Sequence, residues 1–195
     1  MIADQDLYRM SSWASWVALV ALVVAAVTIA LFFAGAGAFW GPVNDVFDVV
    51  VLVALVFPVL AVDRLAGPAA EPWLKIVTVA AIAGLTLAAA GEALLVIGVI
   101  DLETSYLTGG VGILPFMAWL IALAVLGLGR GILPPSIGWL ALGFFGLSIA
   151  VLAVSAVTYG PPLWVATVAL VLVIGALFAA LAATLASTAD RLVTG

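Results

Sequence analysis

Apolar residues run along this chain in long unbroken blocks, not in the alternation of a half-buried strand or the narrow stripe of a soluble helix. Six blocks stand out, at about 14–34, 43–62, 74–100, 111–129, 137–157 and 162–186. Wound as a helix rising 1.5 Å per residue, each is long enough to cross a hydrocarbon core of roughly 30 Å. Turn residues separate them: Gly41-Pro42, Gly67-Pro68, the stretch 101–110, Pro134-Pro135 and Gly160-Pro161-Pro162. The pattern predicts an all-α, six-helix membrane bundle built as three hairpins, with 1–195 forming one transmembrane domain. The first block is too long for a signal peptide's apolar core, and Asp4 and Asp6 precede it beside Arg9, so it is expected to stay as a helix.

The basic residues orient the bundle. Arg9 precedes the first block, Arg64 and Lys75 flank the second connection, Arg130 lies in the fourth, and Arg191 follows the sixth. The first, third and fifth connections hold no basic residue. With six crossings all five cations fall on one side, which the positive-inside rule assigns to the cytoplasm. Both termini are then cytoplasmic, and the chain is expected in a cell's plasma (inner) membrane.

Composition agrees with this pattern. Of 195 residues, 68% are hydrophobic and 8% charged, with a mean hydropathy of +1.45. A soluble domain carries roughly 25% charged residues, so most of this surface must face something apolar. Ten acids against five bases give a net charge of −5, and no basic patch exists to bind nucleic acid. There is no Cys and no His. Their absence excludes disulfides, thiolate metal sites, imidazole-ligated haem and a Ser-His-Asp triad. No cofactor is expected.

Lipid-facing helices associate through small residues and polar contacts. Gly84, Ala88 and Glu92 share one face of the third block, and Gly138, Gly143 and Gly146 lie in the fifth. In the sixth, Ala176, Ala180 and Thr184 run beside Ala179, Ala183 and Ser187. These faces are expected to pack within the bundle. The helix 6 faces also offer a surface for a second copy or another membrane protein. Trp13, Trp16, Trp73 and Trp139 mark the predicted inner ends, and Trp40, Tyr159 and Trp164 the outer ends, as an interfacial aromatic belt.

Few residues can carry chemistry. Glu92 precedes Asp101 by nine residues, which places it roughly 13 Å below the outer end of a helix reaching 100. A carboxylate at that depth costs at least roughly 2.5–3.5 kcal/mol to insert, so it must pair, hold a proton or face a wet cavity. Asn44 or Asp45 is expected to cap the second helix. Asp48 would lie roughly 8 Å deep on the same helix. If the second and third helices face each other, Asp48 and Glu92 line one outward-facing polar pocket, with Asp45 and Asn44 at its mouth. Acids gathered so hold a proton or a cation between them. Pro58 is expected to kink the second helix. Gly127, Gly129 and Gly131 surround Arg130 in a flexible turn and are no phosphate loop, since neither a strand nor GK[ST] accompanies them.

The acidic start of the second helix, Asp63-Arg64-Leu65, and the run Gly129-Arg130-Gly131-Ile132-Leu133-Pro134-Pro135-Ser136-Ile137-Gly138 resemble a broad family of six-helix prokaryotic membrane proteins catalogued only as a domain of unknown function. In that family a similar turn, a basic residue, a hydrophobic pair and Pro before Ile/Leu-Gly, leads into helix 5. The basic residue expected beside Pro135 is absent here. The resemblance implies a prokaryotic plasma membrane and no particular activity.

Three function classes follow. The first is a non-enzymatic protein binding a small ligand, cation or proton in the pocket. The second is an accessory subunit packed against a larger membrane complex. The third is the substrate-binding component of a small-molecule transporter. The vitamin transporters' capture subunits are similar in length and helix number, but no binding-loop motif of theirs occurs here. An intramembrane enzyme has least support, because no nucleophile or phosphotransfer motif accompanies the carboxylates.

Overall fold

The computed structural model describes residues 4–67, 71–155 and 161–194. Among them are six α-helices and no strand: α1 (Asp4–Phe33), α2 (Trp40–Ala66), α3 (Pro72–Val96), α4 (Leu102–Ala124), α5 (Pro135–Ser155) and α6 (Pro161–Thr194). A π-turn at Val125–Gly129 extends α4. Five helices are long and apolar enough to cross a membrane, while the corresponding apolar part of α5 is the shorter Pro135–Val151. The chain is a multi-pass membrane protein by these lengths.

Hydropathy misplaces several ends, because a helix does not stop where its apolar run stops. α1 starts at Asp4 and α6 runs to Thr194, so both extend past the apolar core. There Tyr8, Ala61, Leu185 and Ala189 form a satellite cluster under Leu7 and Leu65. α3 ends early, at Val96, and α4 begins early, at Leu102. Much of the stretch expected as an outer loop is therefore helical. Asp101 starts it, its side chain accepting the Thr104 amide at 2.9 Å, an N-cap in a sequence whose later Gly109 and Gly110 had marked it as a turn.

Each helix packs on the next in sequence, and α6 returns to α1, closing the bundle. Leu55, Val59, Leu85, Trp119, Leu120, Leu123, Phe178 and Leu181 are all buried in its shared core. Trp119 stacks on Phe116 with centroids 5.5 Å apart, and its buried indole N–H has no partner among the described residues. The inward face of α1 is a ladder of small residues, Ser11, Ser15, Ala18, Ala21, Ala25 and Thr28. Its serines bond to neighbouring helices as well: Ser11 donates to the Phe57 carbonyl and Ser12 to that of Ala182, each at 2.9 Å. Helix 2 runs unbroken through the buried Pro58.

Small residues set the α3–α4 seam. A Cβ built on Gly84 would stand 2.2 Å from the Gly112 carbonyl oxygen, and one on Gly91 would stand 2.1 Å from the Thr108 hydroxyl. On α6 the expected face is corrected. Ala176, Ala183 and Ser187 are exposed and Ala179, Ala180 and Thr184 half-buried, whereas Leu177, Phe178, Leu181, Ala182 and Leu185 are buried. The bulkier face fills the core, because the space there is wider than small residues can occupy.

The five basic residues gather at one end. Arg64 pairs with Asp4 at 2.7 Å, in a groove also lined by Asp63, Gly67 and Lys75. Arg130 pairs with Glu71, which also accepts from the Trp73 indole; the Arg130 bond, then that of Trp73, holds the Glu71 carboxyl below the usual glutamate range. Arg191 shares a groove with Leu65 and Gly131, and Arg9 one with Asp190. The turn at Arg130 is held by a bond from its amide to the Val125 carbonyl and by Gly131 at φ +63°. Tyr159, Gly160 and Pro68 lie outside the described residues, as does the Trp164 side chain.

Candidate acidic site between helices 2, 3 and 4

Asn44, Asp45, Asp48 and Glu92 lie at the end of the bundle opposite the basic residues. α2 begins at Trp40 with Phe39 before it, and no side chain caps it. Asn44 and Asp45 are therefore not caps, which corrects the expectation drawn from sequence. One turn inside the helix, the Asn44 side chain is buried and its amide turns along the helix to Asp48, donating at 2.8 Å. The same amide nitrogen is 3.5 Å from Asp45 Oδ1. The i, i+4 spacing that places Asn44 and Asp48 on one face makes this contact, and a bond to a charged acceptor is a strong one.

Glu92 comes from the neighbouring helix. It lies one turn from the end of α3 at Val96, roughly 6 Å along the helix from that end. The expected helix end at 100 is corrected: helix 3 stops before Ile97 because the backbone reverses at Gly98, with φ +73°. The α2–α3 packing brings Asp48 within electrostatic reach of Glu92, and Asp45 within reach of both. No basic side chain among the described residues acts on Asp48 or Glu92.

Helix 4 closes the third side, which the sequence reading missed. Gly91 lets Thr108 approach the α3 backbone, and Thr108 turns its hydroxyl back onto the carbonyls of Thr104 and Ser105. This brings Gly109 beside Glu92, where a Cβ would sit 3.7 Å from Oε1. Ser105 acts on the Glu92 carboxyl from the same helix. Ser105 is 1% exposed and stands within hydrogen-bonding reach of that carboxyl, although its hydroxyl makes no bond of good geometry. A buried hydroxyl left unpaired costs about 1–3 kcal/mol, so a site that could complete its bonding is favoured to do so. The signal for α4 was present in Asp101 as an N-cap, but Ser105 has no motif around it.

The arrangement offers two carboxyls within electrostatic reach of each other, an amide donor fixed to one and a buried hydroxyl beside the other. No three acidic side chains among the described residues stand so as to hold a metal ion. Like charges brought together without a counter-charge repel, and a single proton or cation between them relieves the repulsion. Asp101 and Glu103 stand exposed at the same end, outside this group; bonds from the Thr104 side chain and then its amide hold the Asp101 carboxyl below the usual range. No protein-family model, no curated protein and no solved structure matches this chain.

Proposed function

We propose that the chain is a non-enzymatic plasma-membrane protein that binds one positive charge, a proton or a small cation, between Asp48 and Glu92. The observation that carries this reading is an Asn44-bound Asp48 held within electrostatic reach of Glu92 by the packing of α2 on α3, away from every basic residue. Ser105, buried beside Glu92, supplies a further oxygen for the bound charge. Asp45 and Asn44 flank the entrance, and the site opens on the outer face if the basic end is cytoplasmic. Both termini then lie inside the cell, and the six helices form three hairpins entering from the cytoplasm.

The test compares the wild-type chain with Asp48→Asn and Glu92→Gln in mild detergent. The wild-type melting temperature should depend on pH and on one monovalent cation, and each variant should fold while losing that dependence. Equal dependence in all three chains would overturn the site. A stoichiometric membrane partner recovered with the wild-type chain, together with that result, would favour an accessory subunit. Sidedness is tested by single cysteines on this Cys-free background: position 104 should label from outside, and position 131 only after the membrane is opened.

A further inference from the structure

The basic end of the bundle holds a hollow on the seam between α1 and α6, mostly apolar and edged by two charged side chains. Arg9, Trp13 and Trp16 share one face of α1 by their i, i+4, i+7 spacing, and Ala186, Ala189 and Asp190 face them from α6. The small side chains on α6 leave a hollow of about 520 Å³ against α1. Its floor is tied by Ser12, which donates to the Ala182 carbonyl. Trp13 is 67% exposed and Trp16 43%, indole walls of the kind that sit at headgroup level in a bilayer.

Charge decides what fits. Arg9 and Asp190 both line the hollow, yet they form no ion pair with each other and neither side chain bonds another described residue. A cation and an anion held apart across one groove match a ligand carrying both charges in reverse order. We propose that this groove binds the headgroup of a zwitterionic aminophospholipid, its phosphate on Arg9 and its ammonium on Asp190. An anionic headgroup would satisfy Arg9 and be repelled by Asp190. A quaternary ammonium would balance Asp190 but could donate it no hydrogen bond. The indoles bury the glycerol and upper acyl chain, for which their apolar faces and polar edges suit the interface. This site is independent of the acidic site at the other end.

The full chain is purified in mild detergent and offered equal amounts of phosphatidylethanolamine, phosphatidylglycerol and phosphatidylcholine with identical acyl chains. Bound lipid is counted by native mass spectrometry. Phosphatidylethanolamine should be retained in preference to both others. Arg9→Gln and Asp190→Asn should each lower its retention roughly threefold to fivefold, the scale of one exposed charge contact. Preference for phosphatidylglycerol, equal retention of all three lipids, or unchanged retention in either variant would overturn the proposal. Both residues are exposed, so both variants should keep the wild-type melting temperature. Should one not fold, the lipid competition on the wild-type chain decides the matter alone.

Discussion

Replacing Gly84 with Ala tests the close approach that positions helix 4 against the acidic site. The new methyl would sit 2.2 Å from the Gly112 carbonyl oxygen and 3.2 Å from both the Gly112 carbonyl carbon and Pro115 Cγ. An ordinary carbon–oxygen contact is longer by about 1 Å. Backbone opposes the methyl, so no side chain can rotate aside and the two helices must separate by about that distance. A radial gap of 0.5–1 Å forfeits roughly a quarter to a half of each contact's attraction, and overpacking costs about 1–3 kcal/mol in ordinary cores. Gly84→Ala should lie at the top of that range, about 3 kcal/mol. Gly110 on the same helix 4 is the control, since a Cβ there would meet nothing within 4 Å. Gly110→Ala should be neutral or stabilise by up to about 1 kcal/mol through helix propensity. Unfolding by SDS in mixed micelles, followed by tryptophan fluorescence, gives both values. Equal stability of Gly84→Ala and wild type would refute the reasoning, and with it the tight α3–α4 seam.

Asn44→Ala should destabilise the chain by about 1–3 kcal/mol, because Asp48 loses a buried donor; an unchanged unfolding curve in the same micelles would mean that the bond contributes nothing. Ala182→Leu, at a position 0% exposed, should cost about 1–3 kcal/mol by overpacking. Ala183→Leu, at an exposed position, should leave stability unchanged; a reversed order would place the wrong face of α6 inward. The Asp101 carboxyl titrates below its unfolded value because the Thr104 side chain and amide bond its charged form. Its contribution is therefore present above the ordinary aspartate range and lost as pH falls through the lowered value. Protection of the first turn of α4, taken as the exchange rate relative to the intrinsic rate at each pH, should fall over that acidic window, and should hold constant there in Asp101→Asn.

The membrane class and the rough places of six helices were legible because long apolar blocks and their Gly-Pro breakers report lipid contact directly. The helix ends were not. Leu102 to Gly110 reads as a polar turn through its Thr, Ser and Gly residues, yet Asp101 caps a helix there. In the same way Asn44 has the composition of a cap and instead serves Asp48 from inside α2. Glu92 and Asp48 stood out as rare charges in apolar blocks, and the packing of α2 on α3 holds them within electrostatic reach. Ser105 could not be singled out, because what distinguishes it is the Gly91–Thr108 contact that brings helix 4 close. The small face of α6 misled for a related reason: Ala is common throughout this chain, so its periodicity says little about which side is buried.

The proposed sharing of one charge between Asp48 and Glu92 is tested most directly by infrared spectroscopy of the chain reconstituted in lipid. At neutral pH in cation-free buffer, the wild-type protein should show a carboxylic acid C=O band that shifts in deuterated water. The Asp48→Asn, Glu92→Gln double variant should lack it, and a cation that binds at the site should remove it reversibly from the wild type. Identical spectra for wild type and double variant, with and without cations, would contradict a proton or cation held between these two carboxyls.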